Sequence, residues 1–512
     1  MADRALSLTA AGLAVGIGLL LLAPLAALGL GLQGFSLAPA ELAALRFTLW
    51  QAVLSAGLSV ALAIPVARAL ARRRFRGRDL LISTLGAPFI LPVIVAVLGL
   101  LAVFGRAGWV NQTLTGLGLS PVSIYGLQGV VLAHVFFNMP LAVRMILHGW
   151  QAIPAERFRL AASLGFSPAD TMRHIERPML RAVLPGVALV IFVICLTSFA
   201  VALTLGGGPK ATTVELAIYQ ALRFDFDLAG AARLALVQFA LCTAAYAVAT
   251  RLALPTGFGA GQGRAGGPPA PKGWPLRLDV LVIIFAAMFL ALPILAVVLD
   301  GLPGMLDLPP QVWQAAARSL IIALASTAIS LGVALTLALA AARGRNWPGF
   351  AASLPLAASS LVLGTGLFLI LQPYFRPASL ALPVTMAINA ALSLPFAFRI
   401  LAPEARSLFD DYNRLTSSLG ITGFARLRFV VLPRLSRPLG FAAGLVAALS
   451  MGDLGVIALF AGEGEATLPL LVQRLMGAYR IQTAASAALL LVSLSFALFW
   501  GFDQWGRRHA SA

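Results

Sequence analysis

Charge is what this chain has least of. Of its 512 residues 11% are charged, against roughly a quarter in an average soluble domain. That scarcity excludes the two or three soluble domains that the length alone would suggest. Cysteine is nearly absent: Cys195 and Cys242 both lie inside apolar runs. They read as small buried hydrophobes, and a disulfide framework or thiolate cluster is excluded. The four histidines, His134, His148, His174 and His509, show no metal-ligand spacing. No nucleophile triad, carboxylate pair or cysteine cluster suggests chemistry, so no catalytic or metal-binding residue is assigned. No Gly-x4-Gly-Lys-Ser/Thr loop occurs, so any ATP that drives this protein is bound by another subunit.

What is present is apolar length. The chain is 60% hydrophobic with a mean hydropathy of +0.92, the signature of an all-α polytopic membrane protein. Runs near the ~20 residues that cross a bilayer fall at about 8–32, 46–70, 80–104, 125–148, 183–205 and 230–250, then about 278–299, 316–341, 350–372, 381–401, 438–460 and 483–502. The first run, Leu8 to Leu32, is too long for a signal-peptide core and reads as a retained span. The net charge of +18 does not indicate nucleic acid, because the basic residues sit at the ends of the apolar runs. Placing Lys and Arg inside the cell sets both termini, Arg72 to Arg78 and the Arg507-Arg508 tail in a bacterial cytoplasm. The alternative for Arg72 to Arg78, the basic loop of a major-facilitator transporter, explains less. Arg144 and Arg399 fall at inner helix ends and snorkel to the interface.

The chain is duplicated. Arg159, Leu160, Ser163, Leu164, Gly165, Arg173 and Pro178 recur at one half-chain offset as Arg414, Leu415, Ser418, Leu419, Gly420, Arg428 and Pro433. Pro140 and Arg144 match Pro395 and Arg399, and Thr48 and Ser55 match Ser319 and Ser326. Two six-span halves follow, residues 1–254 and 274–512, joined by a Gly/Pro-rich flexible linker, 255–273. With an even number of spans in each, the halves share one orientation. They are related by a pseudo-twofold axis along the membrane normal, with any pathway between them.

The repeated loops, about 153–182 and 408–437, have a readable local plan. Helix formers run from Ala155 to Leu164, and Gly165 stops them. Ser167, Pro168 and Asp170 read as the cap and first turn of a second short amphipathic helix that Pro178 ends. The second copy has Thr422 as its cap and Gly423 in place of Pro168. Such a helix either lies on the inner leaflet or docks into a soluble partner. Two copies per chain then imply two equivalent partner sites, hence a partner dimer.

Both loops resemble the coupling loop of ABC-importer permeases, Glu-Ala-Ala, three residues, Gly, then Ile and Pro further on. Ala161, Gly165, Ile175 and Pro178 keep the pattern, as do Gly420 and Pro433. Arg159 and Arg414 stand where the family has its acid. The runs Ser198 to Gln220 and Ser450 to Phe460 resemble the thiamine/thiamine pyrophosphate permeases within that family. The resemblance implies a fused type I permease. Its partners would be a homodimer of ATPase subunits, which holds ATP and Mg, and a periplasmic substrate-binding protein. This chain would hold no cofactor. A ferric-iron permease is the rival within the family. An ion-coupled secondary transporter of two six-span halves is the rival outside it.

The resemblance makes Arg159, Ala161, Gly165, Ser167, Asp170, Arg173, Pro178, Arg414, Gly420, Thr422, Arg428 and Pro433 the candidate ATPase-coupling residues. Asp453, an acid inside an apolar run, either lines the pathway, or pairs with an arginine or caps a local break beside Gly452 and Gly455, since intramembrane acids rarely face lipid. Ser198 and Ser450, which open the two resembling runs, join it as candidate pathway residues. Glu215, Asp225 and Asp227, after the fifth span, either meet the substrate-delivery protein or belong to a solvated loop.

Overall fold

A computed structural model describes residues 2–32, 36–86, 90–208, 211–252, 273–462 and 464–510. The linker expected at 255–273 falls outside these, apart from Gly273, as do Pro209 and Glu463. The described chain is helical throughout, with no strand. Eleven helices are long and apolar enough to cross a membrane. A twelfth span is a pair, Trp347–Ala357 and Ser360–Leu371, bent by 87°. The expected count is therefore met, but four spans differ in shape.

The ninth span was expected unbroken at 350–372 and is the bent pair. Pro355 sits in the short 3-10 turn Leu354–Ala357, and Ser359 restarts the helix, its Oγ accepting from the Val362 N–H at 3.1 Å. The third span, expected at 80–104, starts late. Arg78–Thr84 is a separate short helix, and Pro92 caps the helix Val93–Phe104. The fifth and eleventh spans, expected to run unbroken to 205 and 460, break near that end. Arg177–Leu196 is followed by Phe199–Leu205, and Leu432–Met451 by Gly455–Phe460. Composition measures apolar length, and a bend costs no apolar length.

The halves exchange their first spans. Ala2–Leu30 packs on Ser360–Leu371 of the second half, and Trp274–Gly301 packs on Val93–Phe104 of the first. Each crossing needs a glycine. A Cβ on Gly366 would stand 2.5 Å from Pro24, and one on Gly99 2.3 Å from the Pro293 carbonyl. Contacts that close cannot be made by any larger residue without moving backbone. At one end of the bundle the pseudo-symmetry extends to hydrogen bonds. Thr48 Oγ1 accepts from the Val214 N–H at 2.9 Å and Ser319 Oγ from the Leu468 N–H at 2.8 Å. Each pins a short helix, Val214–Gln220 or Leu468–Gly477, to the second span of its own half.

Candidate functional site

Both repeated segments lie at the other end. In the first, helix Ala155–Ser163 closes on Gly165, whose φ is +71°. The Phe166 N–H donates to the Ala161 carbonyl at 2.9 Å, and Gly165 to Ala162 at 3.1 Å. This is a glycine-terminated Schellman closure. The second copy repeats it with Gly420 at φ +66°, Ile421 donating to Thr416 at 2.9 Å and Gly420 to Ser417 at 3.2 Å.

The next turn differs between copies. Ser167 Oγ accepts from the Asp170 N–H at 3.2 Å, while Asp170 Oδ2 accepts from Ser167 Oγ at 2.6 Å and from its N–H at 3.1 Å. This is a reciprocal capping box. Thr422, expected to cap the second copy, makes no side-chain cap bond, and Gly423 follows it at φ +60°. The second copy has Ala425 where the first has Asp170, so no acid is available to return the bond.

Pro178 does not end the short helix, contrary to expectation. Pro168–Thr171 runs through a π-helical turn, Met172–Glu176, straight into Arg177–Leu196. The second copy does the same through Leu427–Val431 into Leu432–Met451. A proline lacks the N–H for the i−4 bond, and its ring crowds that carbonyl. The wider π turn just ahead of Pro178 and Pro433 removes the conflict. Each short helix is thus rigidly continuous with a membrane span.

A buried ion cluster seats the first of these rods, and the sequence reading missed it. Glu176 is 0% exposed; Arg68 Nε reaches its Oε2 at 2.7 Å and Arg72 Nη2 its Oε1 at 3.2 Å. Both arginines lie on helix Pro39–Arg72. In the second half Val431 replaces Glu176 and packs in a core with Leu339, the counterpart of Arg68. The available signal was Arg68, a charge a full turn inside an apolar run, which needs a partner to be buried.

Arg159, at the expected acidic position, is exposed and pairs with Glu156 at 2.9 Å. Arg173 and Arg414 are exposed as well, and Arg428 lies over the Phe429 ring at 5.7 Å. Ala161 is buried beneath its helix. The matched pairs Leu160/Leu415 and Leu164/Leu419 are more than half exposed, and so is Phe424. Both segments present bare leucines beside arginines, at repeat-related places.

The candidate pathway residues separate. Ser198 and Asp453 hold equivalent places, at the breaks of the fifth and eleventh spans. Asp453 Oδ1 accepts from the Gly455 N–H at 3.4 Å, while Oδ2 is buried without a partner and is not ion-paired. The neighbouring Gly452 lies against Pro92 of the other half. Ser450 is committed elsewhere. Its hydroxyl donates to Ser326 at 3.2 Å and accepts from the Asn389 amide at 3.1 Å. The first half has a matched buried cluster: Ser55 Oγ lies 3.2 Å from His134 Nδ1, and the Asn138 amide donates to Cys195 Sγ at 3.4 Å.

Glu215 is not in an open segment, a correction to both readings of it. It is 1% exposed, and its Oε1 accepts from the Gln238 amide at 3.0 Å. Its Oε2 is buried without a partner. The Thr48 bond that draws Val214 into the bundle draws Glu215 in with it. Asp225 and Asp227 are exposed, and Asp227 Oδ1 accepts from the Gly230 N–H at 2.8 Å.

No family model matches the chain. Over 476 residues it is 42% identical to the thiamine transport system permease protein of Brucella abortus (strain 2308), covering 90% of this chain and 87% of that one. The Salmonella typhimurium protein of the same name is 41% identical over 478 residues, 91% of this chain and 89% of its own. The chain belongs to the thiamine transport system permease family. The Escherichia coli K12 member is 42% identical over 467 residues, covering 89% of this permease and 87% of its own length. A more distant likeness, 30% over 182 residues, is to a sulfate transport system permease protein of Synechococcus elongatus, covering 34% of this chain and 63% of that one. The fold agrees with membership: a multi-pass, all-helical transport permease. Among its described residues no group of His, Cys, Asp and Glu is arranged to hold a metal ion.

Proposed function

We propose that this permease is the transmembrane subunit of an ATP-driven ABC importer that carries thiamine or its phosphates across a bacterial inner membrane. The observation behind this reading is the matched pair of glycine-stopped segments, each continuous through a π turn with a membrane span. A helix that only rests on a leaflet has no use for a rigid link into the bundle. In this reading both termini and both segments face the cytoplasm. A homodimer of ATPase subunits, holding ATP and Mg, binds the bare leucines around Gly165 and Gly420. Closure of that dimer pushes both rods, and the fifth and eleventh spans move with them. A periplasmic binding protein delivers the substrate on the opposite face. Asp453, buried at a helix break beside the other half, is the group suited to face a cationic thiazolium in transit.

The test is uptake of labelled thiamine by cells that lack the cognate ATPase gene. Uptake should be abolished. Uptake that persists on an ion gradient alone would reject the reading in favour of a secondary transporter. Thiamine binding by the cognate periplasmic protein, without ferric-iron binding, is the matching result for substrate.

A further inference from the structure

Among the described residues, two that are not glycine have positive φ: Phe226 at +52° and Tyr479 at +59°. They occupy equivalent places, each just before the last span of its half, on the face opposite the coupling segments. Each follows a short helix that turns back on itself. The Asp227 N–H closes onto the Ala221 carbonyl at 2.9 Å, and the Arg480 N–H onto the Leu475 carbonyl at 2.9 Å. Glycine is the ordinary occupant of such a left-handed cap, because a β-carbon is strained there. An aromatic residue in this conformation is an outlier. Packing does not account for it, since Phe226 is 79% and Tyr479 90% exposed. Strained backbone at two symmetry-related places, each presenting a bare ring, points to something that the rings touch.

Two observations narrow the occupant. The segments converge on one strip between the halves. The Arg223 guanidinium donates to the Ala461 carbonyl at 3.0 Å and the Arg474 guanidinium to the Gly462 carbonyl at 3.0 Å. Their flanking charges are also opposite. Phe226 stands between the exposed Asp225 and Asp227, while Tyr479 adjoins the exposed Arg480. A lipid surface is alike at both places and does not call for opposite charges on a pseudo-twofold pair. A soluble partner with two unlike lobes does.

We propose that Phe226 and Tyr479 are the paired docking contacts for the substrate-delivery protein, one under each lobe. Asp225 and Asp227 meet a basic lobe and Arg480 an acidic one, so the charges fix which lobe lies over which half. This rests on the importer reading above.

The test is binding of the thiamine-loaded periplasmic protein to the assembled importer in lipid nanodiscs, with thermal midpoints measured on the same samples. The double variant Phe226→Gly/Tyr479→Gly relieves both left-handed residues. It should weaken binding at least tenfold without lowering the midpoint. Arg480→Glu and Asp225→Lys should each weaken binding several-fold, and the effect should shrink as salt is raised. A double variant that binds as tightly as the wild type overturns the proposal, and with a lowered midpoint it marks the rings as lipid anchors. A wild-type importer that fails to bind the loaded protein overturns the importer reading, and this proposal with it.

Discussion

The two coupling segments have one outline and two constructions. The first is built from separate pieces. Helix Leu127–Gln151 ends, Pro154 starts a new helix, a capping box starts the next, and an ion cluster seats it. The second is reached by one helix, Ala381–Ser418, carrying Pro395 and Pro403 within it. It has no side-chain cap and an apolar seat at Val431. Both copies keep the glycine stop and the π turn before proline. The means of holding the rod in place diverged. An acid held by two arginines is directional and intolerant of loss. An apolar seat is tolerant and can slide. The two halves are therefore stiffened differently although their segments share one outline.

The largest break in this comparison should come from the ion cluster. Glu176→Ala leaves Arg68 and Arg72 without their shared acid in a mostly buried site, and should cost about 3–5 kcal/mol. Val431→Ala, its counterpart, removes two methyl groups from a packed core and should cost only about 1–2 kcal/mol. Thermal midpoints of the purified permease, measured side by side, would show that gap or its absence. Next comes the shared feature. Gly165→Val and Gly420→Val each force a branched residue into left-handed backbone, at about 1–2 kcal/mol apiece. Equal losses of thiamine uptake would mean that both stops are used alike. Unequal losses would extend the asymmetry to function.

The cap should separate the copies more gently. Ser167→Ala removes a made cap at about 1 kcal/mol, whereas Thr422→Ala removes none and should change stability by less than about 0.5 kcal/mol. Hydrogen exchange should therefore quicken over Thr171–Glu176 in the first variant and stay unchanged over Arg426–Val431 in the second. The smallest structural effect is expected at the exposed arginines. Arg159→Glu and Arg414→Glu should leave the midpoint in place. A fall in ATP-driven uptake in either would show that the ATPase reads that side chain, and unchanged uptake that it faces solvent.

Much of this was legible in the sequence, and the boundary follows physical lines. Span length, duplication and the glycine stops are local or periodic signals, and Gly165 and Gly420 adopt the positive φ that their positions suggest. What escaped is long-range or geometric. Arg68 and Glu176 meet across 108 positions, and no local pattern announces such a pair. A proline such as Pro178 signals a stop because it removes an i−4 bond, yet a π turn accommodates it at little cost in continuity. Glu215 sits in a segment that looks polar, and it is buried because one hydroxyl, Thr48, draws its neighbour inward. Thr422 looked like a cap by type, but the reciprocal acid is missing from its first turn. The bend at Ser359 has no compositional signature beyond a proline that other helices here absorb.

The exchange of first spans between the halves carries a consequence for biosynthesis. Pro24 emerges from the ribosome early, but the glycine it packs against, Gly366, is made hundreds of residues later. At bacterial elongation rates that delay is on the order of tens of seconds. Through it the opening span stands in the bilayer without its partner. The first half thus cannot complete itself as a free-standing unit, and its maturation is timed by translation of the second. Expressed alone, residues 1–254 would offer the membrane a first span left with only its contact to Leu228–Leu252, and a third span with a notch, at Gly99, that nothing fills. Fusing the halves into one polypeptide guarantees that both crossings are supplied in equal number, in the same place and in a fixed order.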